Sequence, residues 1–237
     1  MGRCSGFFVA ATDTGVGKTV VTAAMALALR ERGQSVGVFK PVQSGFDRDD
    51  PDGDTMLLRR WLELDVMPES LNVAAYSRPL APLVAARFAG EEIRLGPIVE
   101  RSQQLSKQYD AVLVEGAGGL LVPVGETWTI ADLAVALDYP LIIVARAALG
   151  TVNHTLLTVR VARSLGLRVA GVVLNASSEG GDASNASNHD LIAEFGDVDV
   201  LGPLPWLGDR IDGDAIENGL VPLLDAARLD ALAESAR

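Results

Sequence analysis

Two kinds of hydrophobic pattern alternate along the chain, and together they predict its secondary structure. Short runs of consecutive apolar residues predict buried strands at 7–10, 35–39, 109–115, 140–145 and 168–174, with a further short strand near 198–201. Segments with apolar residues at helical spacing predict helices at 20–32, from 54 onward, at 98–107, 129–137 and 150–165, and near the C-terminus. We therefore predict an α/β fold with a three-layer, doubly wound, mostly parallel sheet and helices on both faces.

Polar and glycine-rich stretches separate these elements and predict the loops. Residues 42–54 contain glycines and a run of acids, and residues 177–187 are rich in glycine, serine and asparagine. In a parallel sheet, ligands bind beyond the carboxyl ends of the strands. The residues that follow the strands are therefore expected to meet at one edge, namely 12–19, 40–44, 115–119, 145–153 and Asn175.

The first predicted strand is followed by a phosphate-binding loop, Ala11-Thr12-Asp13-Thr14-Gly15-Val16-Gly17-Lys18-Thr19. The first turn of the next helix offers free N–H groups and partial positive charge to an anion, and the two glycines let the backbone approach it. Lys18 is expected to reach the β- and γ-phosphates of a nucleoside triphosphate, and Thr19 to bind Mg²⁺. The pattern departs from the usual one at Thr12, where a glycine would stand six places before the lysine.

Three charged residues near strand or helix ends could complete a phosphoryl-transfer site. Lys40 follows the second strand, where a second cation could neutralise the γ-phosphate; a solvated lysine is the alternative. Glu115 ends a strand and suits Mg²⁺, although a turn or capping carboxylate would look the same. Asp54 could be a second metal ligand or a plain helix N-cap, and the acids at 47, 49, 50 and 52 compete with it by position.

Two more segments offer groups for a base and for a carboxylate. Asn175 ends a long strand, and its amide can hydrogen-bond the edge of a base. No Asn/Thr-Lys-x-Asp stretch is present, which favours adenine over guanine. Residues 150–153 open a helix whose free N–H groups could hold a carboxylate. Neither His154 nor His189 has an evident partner, so no histidine base is expected.

Composition limits the partners and the compartment. The 237 residues carry a formal net charge of −11, which repels nucleic-acid backbones and anionic membranes. No apolar run is long enough to cross a membrane, and Asp13 and Lys18 interrupt the segment that a signal peptide would need. The one cysteine, Cys4, allows no internal disulfide. We expect a single domain over residues 1–237, in the cytoplasm, with no nucleic-acid or membrane partner.

Five stretches of the chain form a larger pattern. In chain order they read Thr12-Asp13-Thr14-Gly15-Val16-Gly17-Lys18-Thr19, Lys40-Pro41-Val42-Gln43-Ser44-Gly45, Val114-Glu115-Gly116-Ala117-Gly118-Gly119, Leu149-Gly150-Thr151-Val152-Asn153-His154 and Gly202-Pro203-Leu204-Pro205-Trp206. Over most of its length the chain thereby resembles the dethiobiotin synthetase family, ATP-dependent ligases of biotin synthesis in the P-loop superfamily. Several motifs in the same order are far more specific than any one of them.

The resemblance implies a reaction as well as a P-loop NTPase-like fold. The substrate would be 7,8-diaminononanoate, one amine of which takes up CO₂ (from bicarbonate) to give a carbamate. The carbamate oxygen would attack the γ-phosphate of ATP to form a carbamic–phosphoric anhydride. The second amine would then close the ureido ring and expel phosphate. The nucleophile is already an anion, which agrees with the absence of a placed histidine base.

The resemblance also implies site residues and a homodimer. Lys18 and Lys40 would be catalytic, beside the carbamate and the γ-phosphate. Mg²⁺ would be bound by Thr19, Asp54 and Glu115. Substrate contacts would come from Thr14 and Ser44 and, across the homodimer, from Gly150, Thr151 and Asn153. Nucleotide contacts would come from Gly15, Val16, Gly17, Lys18, Thr19, Val20, Asp54, Glu115, Gly116, Ala117, Gly118, Asn175, Pro205, Trp206 and Leu207.

The chain departs from the family pattern at two places. Ala11 stands where the family usually has glycine, and residues 185–191 lack the tyrosine that contacts the substrate carboxylate in some relatives; residues 185–188 could substitute for it. One alternative is a cobyrinic acid amide synthetase, but that needs a glutaminase domain and a cysteine nucleophile. The other is a partitioning ATPase, whose signature lysine lies five places before the loop lysine, where this chain has Asp13.

Overall fold

The computed structural model describes residues 5–176, 178–180, 184–224 and 229. The strands within these residues are β1 (Ser5–Ala11), β2 (Val36–Phe39), β3 (Val42–Ser44), β4 (Ala74–Tyr76), β5 (Ala111–Glu115), β6 (Pro123–Gly125), β7 (Trp128–Thr129), β8 (Leu141–Arg146), β9 (Val169–Asn175) and β10 (Val200–Leu204). The helices are α1 (Lys18–Glu31), α2 (Asp54–Trp61), α3 (Pro68–Leu71), α4 (Pro82–Ala89), α5 (Leu95–Leu105), α6 (Ile130–Leu137), α7 (Thr151–Ser164), α8 (Asn185–Gly196) and α9 (Gly213–Leu220), followed by a 3₁₀ turn (Val221–Leu223).

Six of the described strands form one parallel sheet in the order β10-β9-β8-β1-β5-β2. Successive residues of β1 face opposite sides of this sheet. Phe7 and Val9 belong to one buried cluster, which includes residues of α1, α2 and α9. Phe8 and Ala10 belong to the other, which includes residues of α4, α5, α6 and α7. Each face of the sheet is therefore covered by helices, and the predicted three-layer α/β fold is confirmed.

The sheet aligns the loops that carry the candidate site. Backbone hydrogen bonds join the ends of neighbouring strands, from Thr12 N to Val144 O at 3.0 Å, from Gly116 N to Val9 O at 2.9 Å and from Ala147 N to Asn175 O at 2.9 Å. Parallel strands that end level with one another present their following loops to the same edge. The site described below lies at this edge.

Several short elements differ from the sequence prediction. Residues 42–44, predicted as loop, form β3 and pair with β4, and β6 and β7 form a small antiparallel pair that was not predicted. Strands of two or three residues have too short a pattern to be distinguished from loop. The last strand extends to Leu204 and thus includes half of the predicted turn at 203–206.

Residues 177–187, which the sequence predicts as a loop, are in part helical, since α8 begins at Asn185 and extends to Gly196. Positions 177 and 181–183 of that segment, like Cys4, lie outside the described residues. Helix α9 lies ahead of the last residues, and of positions 225–237, where the predicted C-terminal helix would end the chain, only 229 is among the described residues. Among the described residues, no helix combines the length and the apolarity that crossing a membrane would require.

Candidate active site

The phosphate-binding loop lies between β1 and α1 and leaves the start of that helix open. Gly15 and Gly17 both adopt positive φ, at 70° and 91°, which glycine tolerates best. A Cβ on Gly17 would also overlap the amide of Asn175. Gly17 is the N-cap of α1, and within the described part of the chain no side chain caps the helix. The first-turn N–H groups are therefore free to bind an anion, as the sequence predicts.

Four predicted residues meet beside this loop. The Nζ atom of Lys40 lies 2.7 Å from Glu115 Oε1, 2.7 Å from Asp54 Oδ2 and 3.1 Å from the carbonyl oxygen of Gly116. The Thr19 hydroxyl is 3.0 Å from both Asp54 Oδ1 and Glu115 Oε1, and it can donate to either. These residues come from α1, the end of β2, the start of α2 and the end of β5. We call Thr19, Lys40, Asp54 and Glu115 the carboxylate–lysine cluster.

Burial decides between the alternatives that the sequence left open for Lys40 and Glu115. The Lys40 side chain is 2% exposed and that of Glu115 is 0% exposed. A solvated lysine and a surface turn carboxylate are both incompatible with these values. A buried charge is costly unless it is paired, and each of these two charges has the other as its partner. The structure therefore places both groups in the protein interior, in contact with each other.

Contacts likewise decide the position of Asp54. The N-cap of α2 is Gly53, so Asp54 is the first residue of the helix and not its cap. Its carboxylate is directed at Lys40 and Thr19 instead. The helix-cap alternative for Asp54 is thus wrong. Among the described contacts of the cluster, none comes from the competing acids at 47, 49, 50 and 52.

The cluster changes the acidity of its own members. Burial alone would lower the pKa of Lys40, but the Asp54 and Glu115 carboxylates outweigh it and raise that pKa above the usual value. Burial would raise the pKa of Asp54, but Lys40 and then Thr19 lower it. For Lys18, burial and then the nearby Lys40 charge lower the pKa to about 8, against weaker opposing effects of Glu115 and Asp54. Lys40 is therefore held in its charged form, whereas the pKa of Lys18, at about 8, lies well below that of a free lysine.

We tested the donor set against Mg²⁺. The Glu115 Oε2 atom is buried and has no hydrogen-bond partner among the described residues. Two ligands of Mg²⁺ at right angles lie about 3 Å apart, since each is about 2.1 Å from the ion. The Thr19 hydroxyl has that separation, 3.0 Å, from both carboxylates. These oxygens fit the ion.

Within the described part of the chain, no group of three or more His, Cys, Asp and Glu side chains forms a metal site by itself. Mg²⁺ in nucleotide sites is commonly bound by one or two carboxylates together with phosphate oxygens and water. Two carboxylates and a hydroxyl beside a phosphate-binding loop match that type of site. The remaining ligands would therefore come from the nucleotide and from water.

A cavity of about 560 Å³ lies beyond the end of β9. Its lining includes Pro205, Trp206 and Leu207, all three predicted to contact the base. Asn175 lies next to this cavity in the chain but makes a bond that the sequence did not reveal. Its Nδ2 atom donates to the carbonyl oxygen of Val16 in the phosphate-binding loop, at 3.0 Å, and the side chain is 8% exposed. One amide thus connects the end of β9, next to this cavity, to the phosphate-binding loop.

A second groove, of about 420 Å³, is lined in part by residues 12–14 of the phosphate-binding loop. Thr14 lines it, together with the apolar residues Leu120, Leu121 and Leu157. The predicted contacts Gly150, Thr151 and Asn153 are not part of its lining. They form the start of α7, where Gly150 is the N-cap and no side chain of the described residues caps the helix. Among the described residues, the groove that Thr14 lines is therefore bordered by the middle of α7 and not by its first residues.

Two further residues from the sequence analysis, Asn188 and His189, make contacts outside the carboxylate–lysine cluster. The Nδ2 atom of Asn188, in the segment considered for binding the substrate carboxylate, donates to Ala148 O at 3.2 Å and to Ser184 Oγ at 2.9 Å. The expectation that His189 lacks a partner is wrong. Its ring nitrogens lie 3.0 Å from Asp190 Oδ1 and 3.1 Å from Val200 O. These are a sequence neighbour and a backbone oxygen, and neither belongs to the cluster.

The lowered pKa of Lys18 predicts a pH dependence of nucleotide binding. Triphosphate favours the charged amine and raises its pKa in the complex, so above pH 8 binding must take up a proton. The affinity for a non-hydrolysable nucleotide should therefore fall as pH rises from 8 to 9.5, by at most about tenfold per pH unit. Calorimetric titrations from pH 7 to 9.5 measure this slope. A Lys18→Arg variant stays charged and should show a flat profile; equal slopes in both proteins contradict the assignment to Lys18.

Comparison with known proteins adds independent findings. A family model described as "AAA domain" matches residues 5–212. The ATP-dependent dethiobiotin synthetase of Bacillus cereus (strain B4264) is 44% identical over 212 residues, which covers 90% of this chain and 88% of that protein. The protein of the same name from Bacillus velezensis (strain DSM 23117) is 34% identical over 231 residues, which covers 98% of this chain and 99% of that protein.

Solved structures with a similar backbone are more distant in sequence. The MinC:MinD cell division protein complex of Aquifex aeolicus aligns with a TM-score of 0.56 at 17% identity, covering 98% of this chain and 94% of that one. A ParA family ATPase from Chlorobium tepidum TLS aligns with a TM-score of 0.54 at 14% identity, covering 98% of each chain. At such identities the likeness shows the P-loop fold alone.

Proposed function

The chain belongs to the dethiobiotin synthetase family, and from that premise we propose how its residues perform the reaction. The protein is an ATP-dependent ligase that makes dethiobiotin in biotin biosynthesis, with ATP as co-substrate and 7,8-diaminononanoate as the substrate. In the proposed reaction, CO₂ supplies the carbon that closes the ring. A cytoplasmic location, without nucleic-acid or membrane partners, is part of the proposal and is supported by the net charge of −11.

The observation that supports this mechanism best is the position of Lys40 between Asp54 and Glu115, from where its charge also lowers the pKa of Lys18. A carbamate and the γ-phosphate of ATP are both anions, so their approach is opposed by charge repulsion. Fixed positive charge in a water-poor site lowers that repulsion without any reorganisation at the moment of reaction. In our proposal, Lys40 and Lys18 hold the two anions together and stabilise the charge that shifts to the transferred phosphoryl group.

The proposed reaction has three steps. One amine of the diamine bonds to the carbon of CO₂ and loses a proton, which gives the carbamate. A carbamate oxygen bonds to the γ-phosphorus, and ADP leaves. The second amine bonds to the carbonyl carbon of the resulting anhydride and loses a proton, the C–O bond to phosphate breaks, and phosphate leaves with that oxygen and can take up the proton. In this scheme the lysines orient and neutralise the reactants, and no side chain is needed as a base for the attacking carbamate.

Mg²⁺ would be held by Thr19, Asp54 and Glu115, for which the unpartnered buried Glu115 Oε2 is the supporting observation. Bound there, it would neutralise phosphate charge. The residues at 15–20 and 116–118 would surround the phosphates. Asn175, Pro205, Trp206 and Leu207 would line the adenine site, in line with the cavity beside them.

We further propose that the active protein is a homodimer in which the start of α7 binds the carboxylate of the substrate held by the other copy. The uncapped helix start suits an anion. Leu149, Leu121 and Leu157 are 83%, 56% and 54% exposed around the groove and α7, and they offer an apolar contact surface. Thr14 and Ser44 would contact the diamine end within one copy.

Mixing two defective variants tests the shared site. Lys40→Ala removes a cation from one half of the site, and Asn153→Asp places a negative charge where the carboxylate should bind. After random exchange of subunits, one intact site forms in each mixed dimer, so activity at low diamine should recover to about a quarter of the wild-type value. The control is each variant mixed with itself. Failure to exceed the sum of the separate variants contradicts a site shared between copies.

Likeness to MinD and ParA leaves the partitioning-ATPase alternative open on fold alone, but the sequence disfavours it. Asp13 occupies the place of the signature lysine; its carboxylate lies 3.9 Å from Arg146 Nη2.

The function is tested by incubation with diaminononanoate, ATP and carbon-labelled bicarbonate. Label should enter a cyclic urea in one-to-one ratio with ADP. ATP turnover that is independent of the diamine but increases with DNA or lipid vesicles would overturn the proposal.

A further inference from the structure

Gln43, the middle residue of β3, is in one of the recognised motifs but has no role in the reaction described above. Its side chain is 2% exposed, and both ends of its amide are fully used. The Nε2 atom donates to the carbonyl oxygens of Phe46, at 3.2 Å, and Asp47, at 2.9 Å. The Oε1 atom accepts from the backbone N–H of Thr55, at 3.0 Å, and from its hydroxyl, at 2.7 Å. A buried amide with four bonds is rigidly held.

The bond from the Thr55 N–H to Gln43 satisfies one of the free backbone donors at the start of helix α2. The N-cap residue Gly53 has no side chain with which to satisfy the first N–H groups. Asp54, the acidic residue of the first turn, is directed away to Lys40 and Thr19. Gln43 therefore supplies the missing cap from a neighbouring strand, because Thr55 is the second residue of the helix. The Asp54 carboxylate remains available to the cluster.

The residues around Gly53 are packed so closely that a side chain at this position would be too near to its neighbours. A Cβ at that position would lie 2.9 Å from Gln43 Nε2 and 3.0 Å from the Cβ of Phe46. The loop that precedes α2 is thus closed against the Gln43 amide on one side and turned by the Phe46 and Asp47 bonds on the other. The start of α2, and with it Asp54, takes its position from this amide.

We propose that Gln43 is a positioning residue that caps α2 and thereby sets the affinity of the site for Mg²⁺ through Asp54. The proposal rests on the metal role that the proposed function gives to Asp54. Groups that orient a metal ligand typically contribute about tenfold to a hundredfold in metal affinity. The expected effect of losing the cap is therefore weaker metal binding with phosphate binding by the loop preserved.

The cap itself is tested by hydrogen exchange in metal-free protein. Gln43→Met keeps the length of the side chain and removes all four bonds. In this variant the amides at the start of α2, Thr55 above all, should exchange about fivefold to tenfold faster, while those of α7 stay unchanged. Gln43→Glu retains the acceptor for Thr55 and should restore most of the protection. Unchanged exchange at Thr55 in Gln43→Met overturns the proposal.

The effect on the metal is tested by Mn²⁺ paramagnetic resonance with a non-hydrolysable ATP analogue. Gln43→Met should bind Mn²⁺ about tenfold or more weakly, Gln43→Glu less so, and metal-free analogue should bind all variants equally. Ile192→Val, a change at a fully buried residue of α8, serves as the control for general destabilisation. Equal Mn²⁺ loss in that control, or fast exchange at Thr55 with unchanged Mn²⁺ affinity, overturns the positioning role. An Asp54→Asn variant with normal Mn²⁺ affinity would instead refute the metal role in the proposed function.

Discussion

Replacing Lys40 with alanine is expected to slow dethiobiotin formation by about 10³-fold at saturating ATP, Mg²⁺ and diamine. Lys40 is the cation held against both carboxylates of the cluster. In the proposed mechanism its charge acts most strongly where the carbamate and the γ-phosphate meet. An interaction made chiefly in the transition state lowers kcat and kcat/KM together when it is removed. Steady-state kinetics of dethiobiotin release measure both constants.

Two further variants make this result specific. Lys40→Arg retains the positive charge but not the compact ammonium, and it should recover only part of the activity. Lys107→Ala removes an exposed lysine in the turn that follows α5 and should leave turnover unchanged. Removal of Lys40 also leaves the buried Glu115 carboxylate and the partly exposed Asp54 carboxylate without their cation, so a lower midpoint of thermal unfolding is expected. Near-wild-type turnover of folded Lys40→Ala would reject the role assigned to Lys40.

Replacing Glu115 with glutamine is expected to raise the Mg²⁺ concentration for half-maximal activity by about tenfold to a hundredfold. The amide preserves the shape of the side chain, which is 0% exposed, but removes the charge that would bind the metal. The Oε2 atom, which has no partner among the described residues, becomes either an amide nitrogen or a neutral oxygen. Because Asp54 and Thr19 remain, activity should partly return at high Mg²⁺. Titration of Mg²⁺ at fixed free ATP gives the measurement.

The matched control is Glu126→Gln, a change of the same chemistry at a side chain that is 52% exposed and paired with Arg87. It should leave the Mg²⁺ requirement unaltered. If Glu115→Gln shows the same Mg²⁺ half-saturation as the wild type, Glu115 does not bind the metal. A loss of activity that no Mg²⁺ concentration relieves would likewise argue for a structural role, as partner of Lys40.

The parts of the fold that could be predicted are those with strong local patterns. The inner strands, such as β8 with five of its six residues buried, are continuous apolar runs that only a covered parallel sheet explains. The phosphate-binding loop is contiguous and could be recognised directly. The pairs β3–β4 and β6–β7 could not, because elements of two or three residues carry no measurable period.

The site divides in the same way. Lys40 follows a strand and Glu115 ends one, and the rule that strand ends converge predicts that they lie close together. Asp54 remained ambiguous because a helix cap and a metal ligand look alike in sequence, and only its contact with Lys40 distinguishes them. The bonds from Gln43 to Thr55 and from Asn175 to Val16 join residues 12 and 159 positions apart. Such pairings depend on the whole fold, and no local signal announces them.

The central claim is that the two lysines and the metal ligands bring a carbamate oxygen onto the γ-phosphate of ATP. Oxygen-18-labelled bicarbonate tests it in a single rapid turnover, before the label exchanges with water, with ³¹P resonance of the released phosphate as readout. The mechanism predicts one ¹⁸O atom in each phosphate formed with dethiobiotin, because the bridging oxygen leaves with phosphorus. Phosphate that contains oxygen only from ATP and water, formed at the same rate as dethiobiotin, would contradict it.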